Sequence, residues 1–427
     1  MAMNPEENLI STRIKRLLML IFPVSIVVDL ISGFFNVQLH SYIPISQVLR
    51  IVIMASILYL LTKRATPVFI WTVIVPVLFF IVASPFWMIT EGMEPGRGYS
   101  LGVEIESFSK ILYFFIIVTF FIVYRAEIKK HNPLRIISIY GFLIAGAVIL
   151  SFVTGYGNQT FGSHYGFGTK SYFKAGNDLG LTILYSTVVS SLYMLSHFGW
   201  KRALVTLTIS LSAILISTRV GILGVFFWLT ILIGYIVFVY RPTDSLVGKR
   251  LRLFKPAIIV GYTLCVIEVI TFLLSVYDKY MLAKYTSEAM VSARTVLTDP
   301  AEDYIGRLEW YEIAFGRGMS SIYHHVAQSV GISAGYRMVE ADFHELLGGY
   351  GVIGFLVFIS PAAYFMIKAF RRYLSQPCIT LFAVLFVTAS FLAVAYAAGH
   401  CFRNTMVAPV YGFMVSLIYY EKGNLTD

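Results

Sequence analysis

Charge is what this chain has least of. Only 13% of its 427 residues are Asp, Glu, Lys or Arg, about half the share of a soluble protein, which excludes an ordinary water-soluble globule. Cysteine is scarce too, with only Cys265, Cys378 and Cys401. No CxxC spacing exists among them, so neither a disulfide framework nor a cysteine metal site is expected. Cys265 and Cys378 fall within or at the end of apolar runs, and Cys401 is expected to lie exposed on the outer side. HExxH, EF-hand and both glycine-rich nucleotide patterns are missing from the sequence, so no metal or nucleotide cofactor is anticipated. Short repeats and low-complexity tracts are lacking as well.

Apolar sequence is what fills the space. Hydrophobic residues make up 58% of the chain, in runs of roughly 17–24 residues, the length that crosses a hydrocarbon core as helix. About twelve such runs are present, near 17–35, 43–62, 66–89, 109–124, 136–155, 179–197, 203–218, 220–239, 257–276, 349–368, 378–398 and 406–420. No small-residue cleavage site follows the first run, which is therefore read as a membrane anchor. The expectation is an all-α polytopic membrane protein in three parts. These are spans one to nine (1–276), an outer loop (277–347) and spans ten to twelve (348–427).

Basic clusters orient the bundle. Arg13, Lys15 and Arg16, then Lys63 and Arg64, then Arg125, Lys129, Lys130 and Arg135 fall on one side if each run crosses once. Lys201 and Arg202, the group from Arg241 to Lys255, and Lys368, Arg371 and Arg372 fall on the same side. The positive-inside rule makes that side cytoplasmic, with both termini there. The long loop then faces out, into the periplasm. Between Asp278 and Glu345 it holds six basic and ten acidic residues. The net charge of +10 thus reflects topology, and no nucleic-acid partner is inferred from it.

Three residues stand out. Arg219, in Ser217-Thr218-Arg219-Val220-Gly221, interrupts an apolar stretch too long for one helix, where the chain must reverse on the outer face. A guanidinium there needs water, a carboxylate or an anion. It is either a turn residue reaching the interface or a phosphate clamp, for which its planar fork of donors is suited. Arg307 follows Asp299-Pro300-Ala301-Glu302, a helix-start signature. That helix is expected to run to about Phe315 and stop at Gly316, with Tyr311 on the arginine's face and Trp310 beside it. Asp303, one turn before Arg307, offers it an exposed pair. His344 lies in Asp342-Phe343-His344-Glu345, which fits a capping box and places the imidazole in the first turn of span ten. A neutral imidazole accepts a proton, although a lone interfacial histidine is commonly structural. The His324-His325 pair reads as solvated loop. Glycines at 348, 349, 351 and 354 suit close helix packing. Tyr304, Trp310, Tyr311 and Tyr336 are candidate stacking platforms for sugars.

The arginine at the outer end of span seven, the Gly306-Arg307 helix in a large outer loop, and His344-x-x-Leu347 leading into Gly351-x-x-Gly354 together resemble the O-antigen polymerase and O-antigen ligase superfamily. Gly176-Asn177-Asp178-Leu179-Gly180, Trp310-Tyr311 and Phe315-Gly316-Arg317-Gly318-Met319 fit the same pattern. The resemblance covers topology over nearly the whole chain, with specific motifs at 215–224 and 303–354. It implies a GT-C-like inner-membrane glycosyltransferase working without a metal. The donor would be a glycan on undecaprenyl diphosphate and the acceptor a sugar hydroxyl. His344 would be the general base, and Arg219 and Arg307 would bind the diphosphate. Trp310, Tyr311, Asp342 and Glu345 would contact sugar or acceptor, and a chain-length regulator is a candidate partner. Ligases of the superfamily carry asparagine directly after the histidine. Here Glu345 stands in that position, and with Asp342 and Tyr350-Gly351 it is closer to the polymerases. Ligase activity stays open.

A secondary transporter is the rival class, since about twelve spans with both ends inside describe many of them. Asp29, Arg50 and Glu268 are charges within spans. Asp29 and Arg50 both fall in the outer halves of their spans and are expected to pair, whereas Glu268 has no evident partner. Against transport, no similarity links the two halves.

Overall fold

The computed structural model describes residues 5–41, 43–92, 98–160, 168–173, 176–196, 199–240, 255–256, 259–264, 266–267, 271, 287–332 and 335–420. Glu268, Cys265 and the basic cluster from Arg241 to Arg252 lie outside them. Among the described residues nine helices are long and apolar enough to cross a membrane. They are α1 (Asn8–Gln38), α2 (Ile45–Lys63), α3 (Pro67–Thr90), α4 (Leu101–Val123), α5 (Pro133–Thr154), α6 (Gly176–Ser196), α8 (Arg219–Phe238), α12 (Asp342–Ser375) and α13 (Ile379–Ala397). Two more expected runs form shorter helices, α7 (Trp200–Ile216) and α14 (Val407–Ser416). The run at 257–276 is described in part. Lys255 donates to the Val237 carbonyl, and Tyr262 meets Thr230 at 2.5 Å and stacks on Phe226, so this stretch runs antiparallel to α8. The chain is an all-α polytopic membrane protein, and nine of the expected runs are helices of spanning length among the described residues.

The centre of the bundle is α6, buried along nearly its whole length. Its neighbours are α5, α7, α8 and α14. Small hydroxyl residues make this close approach possible. Ser190 bonds Thr206 of α7 at 2.9 Å, and Ser191 accepts from the Trp228 indole of α8 at 3.1 Å. The expected Asp29–Arg50 pair is present, with the guanidinium 2.9 and 3.1 Å from the two carboxylate oxygens.

The two ends of the bundle differ in kind. At one end Arg64 pairs with Glu127 at 2.7 Å and lies over Tyr124. Lys368 and Arg125 there flank Tyr419, and Lys129 lies over Tyr420. Cations with long apolar stems on tyrosine rings suit a membrane interface. The opposite end carries a cap of helices formed by α9 (Ser287–Gly306), α10 (Trp310–Phe315) and α11 (Met319–Ser329), seated on the start of α12.

The cap departs from its expected boundaries. Helix α9 does not begin at Asp299 but at Ser287, with Pro300 inside it. Leu297, Ala301, Tyr304 and Leu308 are all buried, a stripe at helical spacing that carries the helix through the proline despite the lost hydrogen bond. The chain then breaks after Gly306 and restarts at Trp310. A capping box of Glu309 and Glu312 begins α10, which stops at Gly316 as expected.

Backbone sits directly on backbone beneath this stop. The Gly318 N–H donates to the Gly349 carbonyl at 2.7 Å, and α12 kinks at Gly351, where φ is +66°. The Trp87 indole donates to the Phe315 carbonyl at 2.9 Å and stacks on Tyr350. Glu104, fully buried, accepts the Met319 and Ser320 N–H groups at 3.0 and 2.6 Å and so caps α11. Gly316 has φ +71°, and a Cβ there would meet the Gly349 carbonyl and come 2.7 Å from the Gly351 nitrogen. Gly316→Ala is expected to lower stability by about 2–4 kcal/mol, read as a fall in melting temperature in detergent. An unchanged melt would refute the backbone contact.

Candidate active site

The first turn of α12 carries His344. Its N-cap is Ala341, not Asp342, and no side-chain cap is made. The expected capping box does not form because the Asp342 carboxylate is captured from another direction. It accepts the backbone N–H groups of His400, Cys401 and Phe402 at 2.8, 2.7 and 3.4 Å. Charge-assisted bonds to consecutive N–H groups outcompete a local cap.

His344 reaches across to α9. Its Nε2 lies 3.1 Å from Glu302 Oε1, while its buried Nδ1 meets no hydrogen-bond partner among the described residues. A carboxylate only accepts, so Nε2 carries a hydrogen in this contact. The next residue on α9, Asp303, holds Arg307: the guanidinium Nη2 is 2.6 Å from Oδ2 and Nε is 3.1 Å from Oδ1. This pair is exposed, with 70% of the Arg307 side chain open to solvent, so it contributes little to stability. One helical turn thus presents both His344 and Arg307.

Asp303 has a further neighbour. His325 Nε2 lies 3.5 Å from Oδ2, with its ring against Tyr304. His324 bonds Gln328 at 2.8 Å and also faces the Gly335 carbonyl. Both histidines lie on α11 and are half-buried, which corrects their reading as solvated loop. Burial pulls the His325 pKa below its usual value, aided by Arg307 and His324 and opposed by Asp303. A histidine held neutral in the fold stabilises fully above its unfolded pKa, and that stability is lost as pH falls below the ordinary histidine range. Acidification from pH 7.5 to 5.5 should lower the melting temperature more in the parent than in His325→Asn. Equal shifts in the two proteins would refute it.

Arg219 opens α8. The Thr218 hydroxyl caps the helix by accepting the Gly221 N–H at 3.3 Å, and Ser217, at φ +61°, closes α7 just before it. The expected reversal is therefore present. Thr218 abuts Gly180 of α6, the Asp178 carbonyl two residues earlier accepts from Asn404 at 3.2 Å, and Arg403 pairs with Glu345 beside His344. That run of contacts sets Arg219 at the same end of the bundle as Arg307 and His344, away from the tyrosine-bound cations.

The remaining candidates divide. Trp310 is 79% exposed and meets Tyr311 edge-on; Tyr311 is half-buried against Phe86. Tyr336 is exposed and Tyr304 buried. Asp342 and Glu345 are both buried, and their carboxylates are engaged by protein donors in place of the sugar contact expected for them. Cys401, expected to be exposed, is wholly buried. No local motif singles out Arg403. It sits in the short loop before α14, and its only signal was a cation, Arg403-Asn404, set between two apolar runs. Among the described residues no group of His, Cys, Asp and Glu is arranged to hold a metal ion.

A family model described as O-antigen ligase like membrane protein matches residues 11–289. The match includes Arg219 and ends before Arg307 and His344. No curated protein matches the chain. Because the matched region spans well over half of the sequence, the chain belongs to the O-antigen ligase like membrane protein family, whose members are membrane enzymes of surface-polysaccharide assembly.

Proposed function

We propose that the protein is an inverting glycosyltransferase of the inner membrane that polymerises undecaprenyl-diphosphate-linked repeat units on the periplasmic face. The observation that carries this reading is the single turn of α9 that presents His344 through Glu302 and Arg307 through Asp303. In the proposed step the acceptor sugar hydroxyl attacks the anomeric carbon of the donor. His344, oriented by Glu302, takes its proton as the general base. The bond from the anomeric carbon to the diphosphate oxygen breaks, and the electron pair leaves with undecaprenyl diphosphate. Arg219 and Arg307 stabilise the charge that develops on that leaving group. One displacement inverts the anomeric centre. The diphosphate bond supplies the driving force, so no nucleotide is required. Both termini would be cytoplasmic, at the end rich in tyrosine-bound cations.

Transfer to lipid A core is the alternative acceptor reaction. Glu345, where the ligases carry asparagine, favours polymerisation. Electrophoresis of surface glycan from a deletion strain separates the two. Polymerase loss leaves a single repeat unit on the anchor, and ligase loss leaves long chains on undecaprenyl diphosphate. A normal ladder would remove both readings.

A further inference from the structure

The loop between α13 and α14 is buried although it lies outside any span. Cys401, Phe402, Arg403 and Asn404 are all below a tenth exposed. Asn404 lies just before α14, its side-chain oxygen accepting the Met406 and Val407 N–H groups at 3.0 Å each. The rest of the loop grips residues 340–345. Asp342 takes three backbone N–H groups from it, as described above. Gly399, at φ +65°, lies against the Glu340 backbone with no room for a Cβ. His400 and Glu340, on the two sides of this contact, both hold left-handed backbone at φ +64° and +62°. Such strain persists only where the surroundings impose it, and it clusters at functional sites.

The grip ends in a buried ion pair. The Arg403 guanidinium pairs with Glu345, with side chains only 5% and 1% exposed. It also donates to the Tyr323 hydroxyl, which donates to Glu345 at 3.2 Å. Burial raises the Tyr323 pKa, keeping that hydroxyl a donor. The other Glu345 oxygen accepts the Glu340 N–H at 3.2 Å. Desolvating two charges is costly, and apolar residues of the same volume commonly stabilise as well or better. Stability alone therefore does not account for the pair. What it fixes is the first turn of α12: Asp342 and Glu345 are both anchored, and His344 lies between them.

We infer that Arg403, acting through Glu345, is a positioning residue that holds His344 in register with Glu302. This rests on the proposed transferase reading, in which His344 is the base. The test uses full-length protein in detergent with the extracted undecaprenyl-diphosphate repeat unit as donor and acceptor. The variants are Arg403→Lys, the paired change Arg403→Met with Glu345→Met, and His344→Ala as reference. The Met/Met form should melt no lower than the parent, yet lose roughly 10- to 100-fold in kcat with donor KM little changed. Arg403→Lys should recover most of the kcat. Full kcat in a folded Met/Met protein would overturn the inference, as would a loss confined to KM. Failure of both the Met/Met and Lys forms to fold would overturn it too, since the pair would then hold the fold. Transfer surviving in His344→Ala would instead remove the assignment of His344 as the base, and an inactive parent protein would remove the transferase reading itself. An inactive His344→Ala beside fully active Arg403 variants would remove this inference alone.

Discussion

Replacing His344 with alanine should reduce glycan transfer by about 10²–10⁴-fold, the range that a positioned acid–base group supplies. The fold should survive the change. The side chain is 21% exposed, and its one hydrogen bond among the described residues runs to Glu302, itself 67% exposed. Little stability resides in such a contact. Surface glycan in a strain carrying only the alanine form should stop at one repeat unit, while the protein remains in the membrane at normal abundance. Long chains made by that strain would remove the general-base assignment. Glu302→Gln offers a graded companion. Its amide still contacts Nε2 but lacks the negative charge that supports an imidazolium, so an intermediate loss is expected.

Arg307→Ala should cost about 10²–10³-fold in kcat if the guanidinium stabilises the departing diphosphate, by analogy with the loss of one donor to a developing oxyanion. Arg307→Lys should recover only part, because an ammonium lacks the bidentate fork. The exposed setting makes this a clean experiment. With 70% of the side chain in solvent, the melting temperature should move little. The kinetic signature is a fall in kcat and kcat/KM together, as for an interaction strengthened in the transition state. A rise in KM alone would mean that Arg307 only binds the donor.

Much of the scaffold was legible because membrane helices obey a simple solvent rule. Every backbone group must be satisfied within its own segment, so apolar runs announce themselves. The Asp29–Arg50 pair followed from the same logic, since two opposite charges at one depth have few other options. The helix stop at Gly316 was readable from a glycine that ends an amphipathic stretch. The site was legible in its residue types but not in its bonding. Asp342 and Glu345 fit a local capping box, yet Asp342 takes its partners from residues 400–402 and Glu345 pairs with Arg403, far along the chain. Nothing local marks that competition. Pro300 misled in the opposite direction, because a buried stripe on both sides of it kept α9 continuous. Tertiary contacts decided each of these cases, and they leave no periodic trace in sequence.

The hydroxyl-lined helix α6 has one more consequence. Helices pack against it on several sides, and its side chains are buried along nearly its whole length. On the proposed function, a hydrophilic polymer would meet packed side chains along α6 and, among the described residues, no opening beside it. Growth and release of the chain would then belong to a single leaflet, and carrying each building block across the bilayer would fall to separate machinery.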